Sequence, residues 1–173
     1  MGKSMKPVAG ATMPVMTTAK VGGGEISIGS STGWQVVFVY RGKHCPLCRK
    51  YLGELNGQLE EFGAMGVSLV TVSADTQEKA EKEVEEEGWH FPVGYGLTME
   101  QMQELGVYIS EPRSPEETDR PFAEPGLFVV NPDHKMQIID ISNAPASRPA
   151  LSILLLGMKF IMKNGLPVRG TLA

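Results

Sequence analysis

Five β-forming residues, Val36, Val37, Phe38, Val39 and Tyr40, follow one another without a polar break. Five positions beyond Tyr40, Cys45-Pro46-Leu47-Cys48 opens a stretch with helical spacing of apolar residues. A continuous apolar run of this kind is typical of a strand buried on both faces. Proline belongs in the first turn of a helix, where its missing N–H is no loss, so Pro46 marks the helix start and Cys45 falls at about the N-cap. A buried strand, a short basic loop over Arg41–His44 and a cysteine pair at a helix start commit the chain to an α/β layering.

The same position sets the chemistry of Cys45. Free backbone N–H groups and the positive end of the helix dipole favour an anion there. Arg41, Lys43, His44, Arg49 and Lys50 flank the pair, and no acidic residue occurs between Arg41 and Tyr51. Each factor favours the thiolate, the nucleophilic form of cysteine. Cys48 lies three residues on, with Cβ atoms about 5–6 Å apart on a regular helix. A disulfide prefers roughly 3.5–4.5 Å, so a small adjustment permits a reversible bond. Cys48, inside the first turn, is expected to be the more buried, which splits the roles: Cys45 attacks and Cys48 resolves. A zinc site would need two more ligands, and neither a second cysteine pair nor metal-ligand spacing among His44, His90 and His134 supplies them. No metal or cofactor is therefore expected. His44 reads as a modulator of the adjacent thiolate, His90 as a packed neighbour of Trp89 and Phe91, and His134 as an exposed turn residue.

The 173 residues suffice for one domain with its own core, and two cysteines exclude a disulfide-rich secreted scaffold. A net charge of −4 argues against a general nucleic-acid binder. Met1–Lys20 lacks the apolar stretch of a signal peptide, and no segment approaches the roughly 18 apolar residues of a membrane span. A cytoplasmic, reducing location is the expectation, where a close cysteine pair is catalytic or metal-binding rather than a permanent staple.

Along the chain, residues 1–13 read as a flexible tail and 14–173 as a single domain. Pro14–Lys20 and Glu25–Ile28 alternate apolar and polar residues around Gly22, Gly23 and Gly24, which predicts an N-terminal β-hairpin. Leu47, Tyr51, Leu55, Leu59 and Phe62 predict one helical stripe after the cysteines, weakened at Gly53 and Gly57. Val67–Val72 predicts a second buried strand. Asp75 is the expected N-cap of a charged helix to about Glu87, whose Glu83, Glu85, Glu86 and Glu87 read as a solvated face. Thr98 and Gln101 have the capping-box spacing for a short helix ending near Leu105. Residues 108–125, rich in proline and charge, predict an irregular loop. Leu127–Val130 and Met136–Ile141 predict a hairpin, and Pro149–Lys163 a final helix with Ser147 as a possible cap and Asn164-Gly165 as its stop. The whole predicts one domain with a central mixed β-sheet flanked by helices.

The segment Val37-Phe38-Val39-Tyr40-Arg41-Gly42-Lys43-His44-Cys45-Pro46-Leu47-Cys48 resembles the active-site segment of peroxiredoxin-like proteins in the alkyl hydroperoxide reductase/thiol-specific antioxidant family, within the thioredoxin fold. The likeness extends through Val70–Asp75, Phe91–Val93, Leu105–Tyr108 and Pro125–Asp133, covering roughly residues 14–140. The resemblance implies a thioredoxin-like fold and reduction of peroxides by a cysteine that becomes a sulfenic acid and is resolved by a thiol. It also implies a thiol reductant such as thioredoxin, glutaredoxin or glutathione. Three positions depart from the family pattern. Phe38 stands where typical members have proline and Gly42 where they have threonine or serine. Pro125 stands where they have arginine, and it matches instead the cis-proline of thioredoxin-like oxidoreductases. A different cation must then stabilise the developing oxyanion, and Arg41 and Arg148 are the candidates.

The reading is a thiol peroxidase in which Cys45 forms the sulfenic acid and Cys48 condenses with it. The alternatives are a thiol–disulfide oxidoreductase acting on protein disulfides, and a non-enzymatic redox-sensing module. The apolar segment Leu151–Met162 is either core or the interface of a homodimer.

Overall fold

A computed structural model describes residues 5–172 of the chain. β1 (Met16–Lys20) and β2 (Glu25–Ile28) form the predicted antiparallel hairpin, Met16 opposite Ile28 and Ala19 opposite Glu25. Gly22, Gly23 and Gly24 at its tip all have positive φ, between 80° and 101°, a region open to glycine. β3 (Gln35–Val39) is buried along its length. The stripe after the cysteines is divided: α1 (Pro46–Asn56) ends at Gly57, and α2 (Leu59–Ala64) begins after Gln58. Glycine at the break adds no side-chain packing and costs about 1 kcal/mol in a helix interior. The stripe also fails at its first member, because Leu47 in the opening turn is 47% exposed.

β4 (Ser68–Val72) is followed by α3 (Gln77–Glu87). The cap of α3 is Thr76, whose hydroxyl accepts from the Lys79 N–H, and not Asp75. Asp75 is directed instead to the cysteine loop. β5 (Val93–Tyr95) leads to α4 (Met99–Leu105), which carries the predicted capping box between Thr98 and Gln101. Residues 108–125 are not wholly irregular: β6 (Ile109–Ser110) and β7 (Phe122–Ala123) pair antiparallel and close the loop at its base. β8 (Gly126–Val130) and β9 (Met136–Ile141) form the second hairpin. α5 (Leu151–Asn164) ends at Gly165 in the left-handed conformation as expected, but its N-cap is Ala150 and no side chain caps it. Ser147 lies three residues too early for that role.

The seven-stranded sheet has the order β2-β1-β5-β4-β3-β8-β9. It is mixed: β3–β4 and β4–β5 are parallel, and the other pairs are antiparallel. The parity of β3 divides the core. Val36, Phe38 and Tyr40 face a cluster with Leu52, Leu55, Trp89, Leu154 and Met158, while Val37 and Val39 face Val70, Val72, Phe128 and Val130. Both cysteines belong to the first cluster. Residues 10–13, expected in a tail, run against β9: the Gly10 N–H donates to Met136 O, Thr12 bridges Lys135, and Met13 is buried. Residues 1–4 of that expected tail lie outside the described residues. His90 is exposed, and His134, half-buried, meets Gly29 O through Nδ1 at 3.0 Å. Among the described residues no helix is long and apolar enough to cross a membrane.

Candidate active site

β3 delivers the chain to the cysteine loop at the centre of the sheet, and α1 leaves from it. Cys45 is the N-cap of α1 with extended backbone, and its Sγ accepts from the Cys48 N–H at 3.2 Å. The Cys48 side chain, the largest influence on it, also favours a Cys45 anion. These contacts, with the backbone donor and the charges of Arg41 and Arg148, outweigh burial and lower the Cys45 thiol to about 6. Burial, reinforced by the bond to Cys45, pushes the Cys48 thiol up. The two sulfurs are thus driven in opposite directions, Cys45 toward the thiolate and Cys48 toward the thiol. Cys45 is 1% exposed and Cys48 is fully buried, and both are free thiols.

The two candidate cations occupy different places. Arg41 reaches the 108–125 loop, where Nη2 lies 3.5 Å from Glu117 Oε1 and Nε lies 3.3 Å from Glu124 Oε2, while its charge still favours the Cys45 thiolate. Its guanidinium stands 4.7 Å above the Phe122 ring. Ser110 Oγ donates to Glu124 Oε1 at 2.7 Å, and Arg113 pairs with Glu117, so Arg41 anchors that loop. Arg148 turns inward, and its Nη2 donates to Cys48 Sγ at 2.8 Å. The guanidinium lies 5.0 Å over the Tyr51 ring, whose hydroxyl donates to Pro149 O at 2.9 Å.

His44 packs edge-on against Phe122, with ring centroids 4.6 Å apart, and neither ring nitrogen has a hydrogen-bond partner. Burial and the Arg41 charge lower its pKa to about 4, so it is neutral at physiological pH and adds no positive charge to the loop. Lys43 pairs with Glu86, and Arg49 Nε lies 3.4 Å from Glu87. The basic segment is thus largely countered by the carboxylates of α3. Pro46 opens the helix as expected. Pro125 is buried and lines a cleft with Phe38, Tyr51, Asp140 and Arg148. Its peptide bond is trans, as are all those of the described residues, contrary to the expected cis-proline. It lies between β7 and β8, where Glu124 N–H bonds to Tyr108 O and the Pro125 carbonyl accepts from Ser142 N–H. The chain there passes from one paired strand to the next, which a trans bond permits.

Two further carboxylates belong to this neighbourhood. Asp75 Oδ2 accepts from the Lys43 N–H at 2.7 Å, pinning the loop before Cys45. Gly42 makes this possible. Its φ is +123°, and a Cβ there would lie 2.5 Å from Asp75 Oδ1. Gly42→Ala is expected to cost about 1–3 kcal/mol of stability through the strained φ and the displaced carboxylate. An unchanged midpoint in thermal unfolding would refute this account of the loop. Glu83, expected on a solvated face, is fully buried on α3, with neither carboxylate oxygen hydrogen-bonded. Burial first, then the neighbouring Asp75, raises its pKa to about 8. Among the described residues, no group of three or more His, Cys, Asp or Glu side chains is placed to hold a metal ion.

Among solved structures, the chain is similar to the peroxiredoxin-like protein of Aquifex aeolicus (TM-score 0.76, 16% identity, 91% of this chain and 89% of that one). It is similar also to a cysteine-to-serine mutant of peroxiredoxin 6 of Arenicola marina (TM-score 0.74, 19% identity, 92% and 75%). A third such structure is peroxidoxin BcpB of Mycobacterium tuberculosis (TM-score 0.71, 21% identity, 89% and 97%). These likenesses establish the thioredoxin-like fold of the peroxiredoxins. In sequence, the chain is 26% identical over 111 residues to a protein of Syntrichia ruralis described as a probable 1-Cys peroxiredoxin. That match takes in 61% of this chain and 51% of the relative's length. Residues 9–139 match the AhpC/TSA family, and the chain belongs to it.

Proposed function

We infer that the protein is a thiol peroxidase that reduces hydrogen peroxide or organic hydroperoxides through Cys45. The observation that carries this reading is a helix-capping thiol lowered to about 6 yet only 1% exposed. Its thiolate is abundant at neutral pH, while its burial admits small molecules in preference to a protein disulfide. Cys45 Sγ attacks the terminal peroxide oxygen, the O–O bond breaks, and the alcohol or water leaves after taking up a proton. The resulting Cys45 sulfenic acid condenses with Cys48, releasing water and forming the disulfide. An external thiol closes the cycle, with thioredoxin, glutaredoxin and glutathione as the candidate reductants, in a cytoplasmic setting. A homodimer is the assembly we assign to the outward side of α5, where Ile153, Leu156 and Phe160 are exposed while Leu151, Leu154, Leu155 and Met158 are buried.

The competing reading is disulfide exchange with protein substrates. It is supported by Gly42 in place of a hydroxyl residue, and opposed by the burial of both sulfurs and by the trans bond before Pro125. The two readings separate when purified protein is assayed for hydrogen peroxide consumption and for insulin disulfide reduction, each with a regenerating thiol. Peroxide consumption with little insulin reduction is expected. Rapid insulin reduction without peroxide consumption would establish the exchange reaction instead.

A further inference from the structure

The cation nearest the sulfurs belongs to Cys48, the thiol that does not make the first attack. Arg41 is held by two carboxylates, and its charge acts on Cys45. Arg148 donates to Cys48 Sγ, and among the described residues no carboxylate forms an ion pair with its guanidinium, although Asp140 lines the same cleft and feels its charge. Its Nη1 is buried and has no hydrogen-bond partner, although the residue lines the cleft beside Phe38, Tyr51 and Pro125. Tyr51, one turn after Cys48 on α1, fixes the group from two sides, through its ring and through its bond to Pro149 O. A guanidinium bonded to a buried thiol stabilises that sulfur as an anion, and the Asp140 carboxylate in the same cleft draws on that charge without forming an ion pair with it.

We propose that Arg148 is the catalytic residue of the resolving step, converting Cys48 into a thiolate once Cys45 has been oxidised. Before oxidation the charge sits on Cys45 and the Cys48 proton is directed to it. When Cys45 Sγ takes the peroxide oxygen, the departing alkoxide or hydroxide accepts the Cys48 proton and leaves as alcohol or water. The negative charge then moves to Cys48 Sγ, beside Arg148. Cys48 Sγ attacks Cys45 Sγ, the S–S bond forms, and the Cys45 S–O bond breaks. The hydroxide released meets the unpartnered Nη1 donor and takes a proton from solvent. No outside oxidant is needed beyond the peroxide, whose two electrons come from the two cysteines.

This inference rests on the peroxidase reading, and its test keeps the two apart. Wild type and Arg148→Gln are mixed with hydrogen peroxide in a rapid-mixing experiment across pH. Cys45 sulfenic acid is trapped with dimedone, and the disulfide is counted by loss of free thiols. In Arg148→Gln, sulfenic acid is expected to accumulate and its conversion to disulfide to slow by on the order of ten- to a hundredfold at neutral pH. The lost rate should return as pH rises and Cys48 ionises unaided. Arg148→Lys, which keeps the charge, should recover part of it. Unslowed disulfide formation in Arg148→Gln, or slowing with the wild-type pH profile, would overturn the role of Arg148 while leaving the peroxidase reading intact. Absence of both sulfenic acid and disulfide in wild type after peroxide is added would instead overturn the peroxidase reading itself.

Discussion

Cys45→Ser is expected to abolish peroxide consumption, by on the order of a thousandfold or more, since a hydroxyl stays protonated where the thiol ionises. Loss of fold does not explain such a result. Serine is among the preferred helix N-caps, and its Oγ can accept the Cys48 N–H that now reaches Sγ. The thermal midpoint should therefore stay near that of wild type, and the two measurements made together check the assignment. Cys48→Ser should behave differently, completing one oxidation per molecule and then failing to turn over with a thiol reductant. The pH dependence has a defined sign. The thiolate is the reactive form, and the Cys45 thiol is lowered to about 6, so the first oxidation should rise through that pH and level off above it. Sustained turnover by Cys45→Ser would overturn the division of roles.

The second large effect concerns stability and involves no reacting atom. Glu83 is raised to about 8 in the folded chain, from an ordinary value of 4.5. Below pH 4.5 the carboxyl is protonated in both folded and unfolded chains, and burial carries no ionisation penalty. Between these values only the unfolded chain ionises, so folding loses free energy steadily as pH rises. Above about 8 the loss is complete. Asp75 adds to it and Arg49 and Lys43 oppose it, while Glu87 on the same helix adds a smaller share. Glu83→Gln cannot ionise and should escape the loss. Its gain over wild type is expected to be near zero at pH 4.5 and roughly 2–5 kcal/mol at pH 8. Urea unfolding of both proteins across that range measures it. A gain independent of pH would show that something other than ionisation is responsible.

Much of this architecture can be read from residue order, for reasons that differ along the chain. β3 declares itself because five β-forming residues in succession leave no solvent face, and the structure duly splits them between two core clusters by parity. The first hairpin and the capping box of α4 are local, written in glycines and in a threonine–glutamine spacing. The burial of Glu83 was also available, since Ala80, Glu83 and Val84 share one helical face, but the surrounding run of glutamates obscures that spacing. The anchoring of Arg41 is another matter. Glu117 lies 76 residues away, and only the folding of the 108–125 loop brings the two together. Likewise, no local pattern shows that Arg148 meets Cys48, one hundred residues earlier. Charge near a cysteine in sequence is thus an incomplete guide to charge near its sulfur: Lys43 and Arg49 find carboxylates first, and Arg41, which favours the Cys45 thiolate, is shared with two.

The contact between Gly42 and Asp75 also bears on how such a site can change over evolutionary time. A hydroxyl residue at position 42 arrives at a cost in stability, because its Cβ would displace the carboxylate that holds Lys43. Prior loss of Asp75 would remove the clash, but that intermediate would carry a slackened cysteine loop without any compensating hydroxyl. A loss of stability therefore stands between this loop and one bearing threonine or serine at position 42. Avoiding it takes two coordinated changes, on β3's outgoing loop and on the segment before α3, and single-site libraries at position 42 should return glycine.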